Sequence, residues 1–126
     1  MILLVDSDPL MRSILQETLE SAGHLIAAVG DLGAAVDRLK MMRPDLLIIR
    51  PYISTMPGYQ AAQYLRTLRP GLPVLIVDGF IEDERIYLKN AVHNFHTFPK
   101  PFASLALLHK VAEILRHIFE EAAGAH

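Results

Sequence analysis

The chain has no cysteine, which excludes a disulfide framework, a thiolate nucleophile and a thiolate metal site. It has no excess of charge either: 12 Lys and Arg stand against 14 Asp and Glu, a formal net charge of -2. That balance argues against nucleic acid or an anionic membrane surface as the main partner. Long hydrophobic runs are missing too. The opening apolar stretch, Ile2 to Val5, stops at Asp6, far short of a signal sequence or a membrane span. No internal repeat, low-complexity tract or linker divides the chain, and it carries neither a basic recognition helix nor a catalytic motif of an enzyme. What remains is 126 residues, 52% of them hydrophobic, enough to bury a real core. The expectation is a soluble cytoplasmic domain over residues 1–120 and a small, polar, fraying tail over 121–126.

What is present is an alternation. Apolar runs of strand length occur at Ile2–Val5, Leu25–Val29, Leu46–Ile49, Val74–Val77 and, more weakly, Phe95–Phe98. Helical spacing follows each. Asp8-Pro9 reads as an N-cap and first helical residue, with Leu10, Ile14, Leu15, Leu19 and Ala22 inward and Gly23 as the stop. Asp31 caps a second helix with Ala35, Val36 and Leu39 inward, and Pro44 forbids its continuation. Pro57-Gly58 opens a third, carrying Tyr59, Ala62 and Leu65. Glu82, Asp83 and Glu84 suit the first turn of a fourth, with Ile86, Leu88 (or Tyr87) and Val92 buried. The last starts near Ala103 or Ser104 and turns Leu105, Leu108, Val111, Leu115 and Ile118 inward. Five strand–helix units with short loops predict an α/β fold, a doubly wound parallel sheet with five helices on its two faces.

In such sheets, ligands bind beyond the carboxyl ends of the strands. Asp6 follows the first apolar run, Arg50 the third, Asp78 the fourth and Lys100 the fifth. Their formal charges cancel, and partly buried charges demand such pairing. Asp8 is explained as a helix cap, and Asp78 before Gly79 also suits a turn. Of the histidines, His24, His93, His96, His109, His117 and His126, the pair His93 and His96 is three apart, but a strand begins between them and no acidic residue lies at ligand spacing to complete a site. Solvated or locally hydrogen-bonded histidines, and no metal or cofactor, are expected.

The stretches ILLVDSDPLMRSILQETLESAG, PDLLII, YQAAQYLR opened by Gly58, PVLIV and FPKPF together resemble the receiver domains of two-component response regulators, end to end. The resemblance implies a flavodoxin-like sheet of order 2-1-3-4-5. It also implies a pocket built from Asp6, Ser7, Asp8, Arg50, Asp78, Thr97 and Lys100, of which only Asp6 and Lys100 match the family pattern. The family accepts a phosphoryl group on an aspartate where this chain has Arg50, and holds magnesium with an acidic pair where it has Asp6-Ser7. Asp78 stands in place of a small hydroxylated residue, and Thr97 in place of a tyrosine or phenylalanine.

These departures agree with one another. Arg50 in the metal's place, bridging Asp6 and Asp78 with Lys100 beside them, gives an internal ion network and a degenerate receiver. Losing Arg50 from a buried network is expected to cost roughly 3–5 kcal/mol. The function expected is a phosphorylation-independent signalling module that binds a protein partner or itself. The surface implied is the helix 4–strand 5–helix 5 face, with Ile86, Tyr87, His93, His96, Leu107, Ile114 and Phe119 in that region. Two alternatives stand beside it: a phospho-relay using Asp6, Asp8 or Asp78 as acceptor, and a small-anion-binding domain offering Arg50 and Lys100.

Overall fold

Ile2–Val5 (β1) and Leu46–Ile49 (β3) are apolar at every position and have no face to give to water. They pair in parallel at the centre of the sheet, in the register Ile2↔Leu46 to Val5↔Ile49. The computed structural model describes residues 1–79, 95–99 and 103–124. Around the central pair the chain builds one five-stranded parallel sheet with β2 (Ile26–Val29), β6 (Val74–Gly79) and β7 (Phe95–Pro99), ordered β2-β1-β3-β6-β7. With the short hairpin of β4 (Tyr52–Ile53) and β5 (Met56–Pro57) set aside, this is the expected 2-1-3-4-5 order.

Alternation along the strands divides the core in two. Leu3, Val5, Leu47, Ile49, Val74 and Ile76 face one side, under α2 (Leu32–Met41) and α3 (Gly58–Leu68). Ile2, Leu4, Leu46, Ile48, Leu75 and Val77 face the other, under α1 (Pro9–Ser21) and α4 (Ser104–Gly124). Each helix supplies the small set that fills its side: Leu15 and Leu19, Ala35 and Leu39, Ala61, Ala62 and Leu65, and Leu107, Val111 and Ile114.

Four helices are described; the fifth, expected around Glu82 to Val92, lies outside the described residues, with Ile86, Tyr87 and His93. Four inward assignments are corrected. Leu10, Ile14 and Leu105 are exposed, because an apolar stripe on a helix is wider than the arc the sheet covers, and Ala22 is exposed at the C-cap, where α1 has already ended. Conversely Leu107 and Ile114, counted towards a partner surface, belong to the core. Residues 121–124 continue α4 and are exposed throughout.

Capping follows the sequence. Asp8 accepts from Leu10 N at 3.0 Å and Met11 N at 3.4 Å, and Asp31 accepts from Ala34 N at 2.7 Å. Gly23 has a φ of 90°, closing α1.

Gly58 answers a different need. A Cβ there would overlap the Arg50 carbonyl oxygen, and the Gly58 N–H donates to the Pro51 carbonyl at 2.6 Å. The start of α3 is thereby folded back onto the end of β3. Gly58→Ala should therefore lower stability by about 3 kcal/mol, because backbone rather than a flexible side chain must move. Urea unfolding would measure the loss, and a variant as stable as the parent would refute the close approach.

Candidate functional site

The polar site begins where the two central strands end. One more rung of backbone bonding carries Asp6 N to the Val29 carbonyl at 3.1 Å and Arg50 N to the Val5 carbonyl at 3.3 Å. Adjacent strands thus deliver a carboxylate and a guanidinium side by side. Arg50 Nε lies 3.5 Å from Asp6 Oδ2, with side chains 17% and 3% exposed. The pair is ionic contact rather than hydrogen bond, for Asp6 Oδ2 is buried without a hydrogen-bond partner. The other oxygen, Oδ1, accepts from Asp8 N at 2.9 Å.

Burial pushes the Asp6 carboxyl above its ordinary 3.8; the Asp8 backbone N–H and Arg50 pull it back only in part. Loss of water around the carboxylate therefore outweighs the favourable contacts.

Ser7 and Asp8 flank Asp6 but are turned to structural tasks. The Ser7 hydroxyl accepts from Ser54 N at 3.0 Å, which ties the first loop to the β4–β5 hairpin. Ser54 heads that hairpin with a φ of 57°, a left-handed conformation held by a residue other than glycine. Asp8 spends its carboxylate on the cap of α1. The structure thus brings Asp6, Ser7, Asp8 and Arg50 together. Thr97 lies apart on β7, level with Ile76, with β6 between it and β3. Lys100 and the side chain of Asp78 lie outside the described residues.

Two residues that sequence reasoning passed over complete the setting. Arg12 Nη1 donates to the Asp6 carbonyl at 2.8 Å. It does so by lying across Gly30, where a Cβ would come within 2.7 Å of that nitrogen. A glycine immediately after β2 was the available signal, but a basic residue in the first turns of a helix ordinarily faces solvent. Among the described residues, no three His, Asp or Glu side chains are placed to hold a metal ion together. Among the same residues, no helix is long and apolar enough to cross a membrane.

The raised Asp6 carboxyl has a signed consequence. The folded chain binds this proton more tightly than the unfolded one, so Asp6 favours folding most at low pH. That contribution is lost as pH rises from about 3.8 through the higher folded value. The stability of the parent minus that of Asp6→Asn should fall over that window and then level off. Urea titrations of both proteins across pH would show it; a difference that rises instead would mean the pairing with Arg50 dominates burial.

Comparison with known proteins places this geometry. Residues 2–112 match the family described as response regulator receiver domain. The chain is 29% identical over 124 residues to the response regulator MprA of Mycobacterium bovis, covering 98% of this chain and 54% of that protein. It is 32% identical over 124 residues to the response regulator protein FleR of Pseudomonas aeruginosa, covering 98% of this chain and 26% of that protein. The chain therefore spans about half or less of the length of these curated relatives. Among solved structures, a response regulator receiver protein from Sinorhizobium medicae superposes with a TM-score of 0.77 at 27% identity, covering 93% of this chain and 94% of that one. A CheY-like receiver domain protein from Methanospirillum hungatei gives 0.83 at 22% identity, covering 95% and 96%, a likeness of fold. With its sheet order, its acidic first loop and a match running through most of its length, the chain belongs to the response regulator receiver domain family.

Proposed function

We propose that this receiver domain works without phosphorylation, as a signalling interaction or dimerisation module whose strand-end site is held by its own charges. The observation that carries the reading is Arg50, at the end of β3 with its guanidinium against the Asp6 carboxylate. The resemblance calls there for the phosphoacceptor aspartate. A guanidinium stays protonated and offers no nucleophilic oxygen.

The residues present also fit magnesium poorly. That ion wants hard oxygen ligands in near-octahedral geometry, usually with one or two carboxylates. Asp6 Oδ2 faces a guanidinium, the Ser7 hydroxyl is engaged by Ser54, and the Asp8 carboxylate caps α1. Each would have to give up its present contact to turn towards a cation, with a fixed positive charge nearby.

In this reading the chain is no enzyme and needs no cofactor. It acts in the cytoplasm on a protein partner or on another copy of itself, not on nucleic acid or membrane. A phospho-relay through Asp6, Asp8 or Asp78 remains the rival that the test must separate.

Two measurements bear on it. Amide chemical shifts of Asp6, Ser7 and Asp8 should stay put when magnesium and then beryllofluoride, a phosphoryl mimic, are added; saturable shifts there would revive the relay. Arg50→Ala should lower unfolding free energy by about 3 kcal/mol, the low end for a broken buried pair, because Arg50 retains some contact with water. The same change in an Asp6→Asn background should cost distinctly less. Equal losses in both backgrounds would remove the ion pair from the account.

A further inference from the structure

The last helix carries more apolar surface than its core contacts use. Leu107, Val111 and Ile114 are buried against the sheet. A second apolar stripe runs beside them: Leu105, Ala112 and Phe119 at intervals of seven, interleaved with Leu108, Leu115 and Ala122. This is the a and d spacing of a helix that packs against another helix along its length. Leu105 is 75% and Phe119 60% exposed, Ala112 and Ala122 are also exposed, and only Leu108 and Leu115 lean on the core.

The flank on which this stripe lies can be fixed. About the axis of α4, Lys110, Glu113 and His117 fall on one side of the buried Leu107, Val111 and Ile114 and the stripe falls on the other; with right-handed crossovers and the observed strand order, the polar side overlooks β7. The apolar flank faces the other way, towards α1, which packs beside α4 on the same side of the sheet. There α1 adds Leu10, 69% exposed, and Ile14. Arg12 turns off towards Gly30 on the β2 side, which leaves Ile14 on the α4 side and Leu10 on the outer face of the helix. Both helices run against the strands, so their first turns, which carry Leu10 and Leu105, share one end of the domain.

We infer that this α1–α4 seam is the self-association surface of the chain, closed by α4 of a second copy running antiparallel across a twofold axis near Ala112. The inference rests on the interaction-module reading above and names its partner and surface. Self-complementarity argues for it. A twofold through Ala112 sets Leu105 of each copy against Phe119 of the other, with Ala112 meeting Ala112 where the helices must approach most closely. Phe119 then packs on the exposed Leu105 of the other copy, at the end of the domain that also carries Leu10 and Ile14, an aromatic anchor in an apolar setting. The parallel alternative would oppose Arg116 and Glu120, which border the stripe, each to its own copy and align the two helix dipoles, both repulsive.

Sedimentation equilibrium of the full chain tests it. The expected result is a reversible dimer whose dissociation constant rises on the order of tenfold or more in Leu105→Glu and in Phe119→Glu, and is unmoved by His117→Ala on the opposite flank. Because the chain has no cysteine, oxidation gives the direction: mixed Leu105→Cys and Phe119→Cys proteins should form the hetero-disulfide, and neither should cross-link alone. A monomer at every concentration overturns the inference. So does a dimer lost in His117→Ala but kept in Leu105→Glu, which moves association to the β7 flank and leaves the proposed function standing. Cross-linking by each variant alone overturns the antiparallel arrangement. Beryllofluoride-induced shifts at Asp6 would strike the phosphorylation-independent reading instead, without touching the dimer result.

Discussion

Burial of β1 and β3 on both faces leaves the chain few places to put a charge near its centre. Every side chain from Ile2 to Val5 and from Leu46 to Ile49 is enclosed, so polarity can return only where the strands run out. Because the two strands are parallel and in register, they run out together, and whatever follows them is forced into proximity. Asp6 and Arg50 meet for that reason before any attraction between them is considered. The register makes the site; the charges then have to be made tolerable.

They are made tolerable from several directions at once. The Asp8 N–H satisfies one oxygen of Asp6, Arg50 faces the other, and Arg12 takes up its backbone carbonyl. Gly58 lets α3 close down on the Arg50 carbonyl, and Ser7 anchors the hairpin through Ser54. Each link ties a different loop to the end of β1 or β3. The carboxyl is nevertheless raised, so the environment removes more hydration than these contacts return. Such a group is held in place chiefly by its surroundings rather than by its ion pair.

Much of the architecture could be read in the sequence because its signals are local. Four-residue apolar runs, Asp8 before Pro9, Asp31 before α2 and Gly23 after α1 each act within a few residues. Placing Arg50 beside Asp6 needed only the parallel order. The misses depend on what lies across space. Arg12 reads as an ordinary helix residue until Gly30, just beyond β2, opens the floor beneath it. Ser54 gives no hint of a left-handed backbone, since serine is not the residue that conformation favours. Leu10, Ile14 and Leu105 continue the apolar pattern of their helices without a break. Periodicity shows that a helix has an apolar side, but the neighbouring elements decide how much of it is covered.

That uncovered remainder and the charged strand ends belong to one physical account. A ligand shifts a protein between two conformations only by binding one of them better. Where a carboxylate and a guanidinium already face each other, a phosphoryl group or a divalent cation has little differential affinity to contribute. On the proposed reading, no such ligand is available to hide or reveal the α1–α4 seam. Its occupancy would then follow concentration alone, by mass action with whatever helix fits it. A seam that is permanently presented must be restrained by its geometry rather than by a switch. Large residues at both ends of α4 and a small one at its centre supply that restraint, because they reward one alignment of two helices over the others.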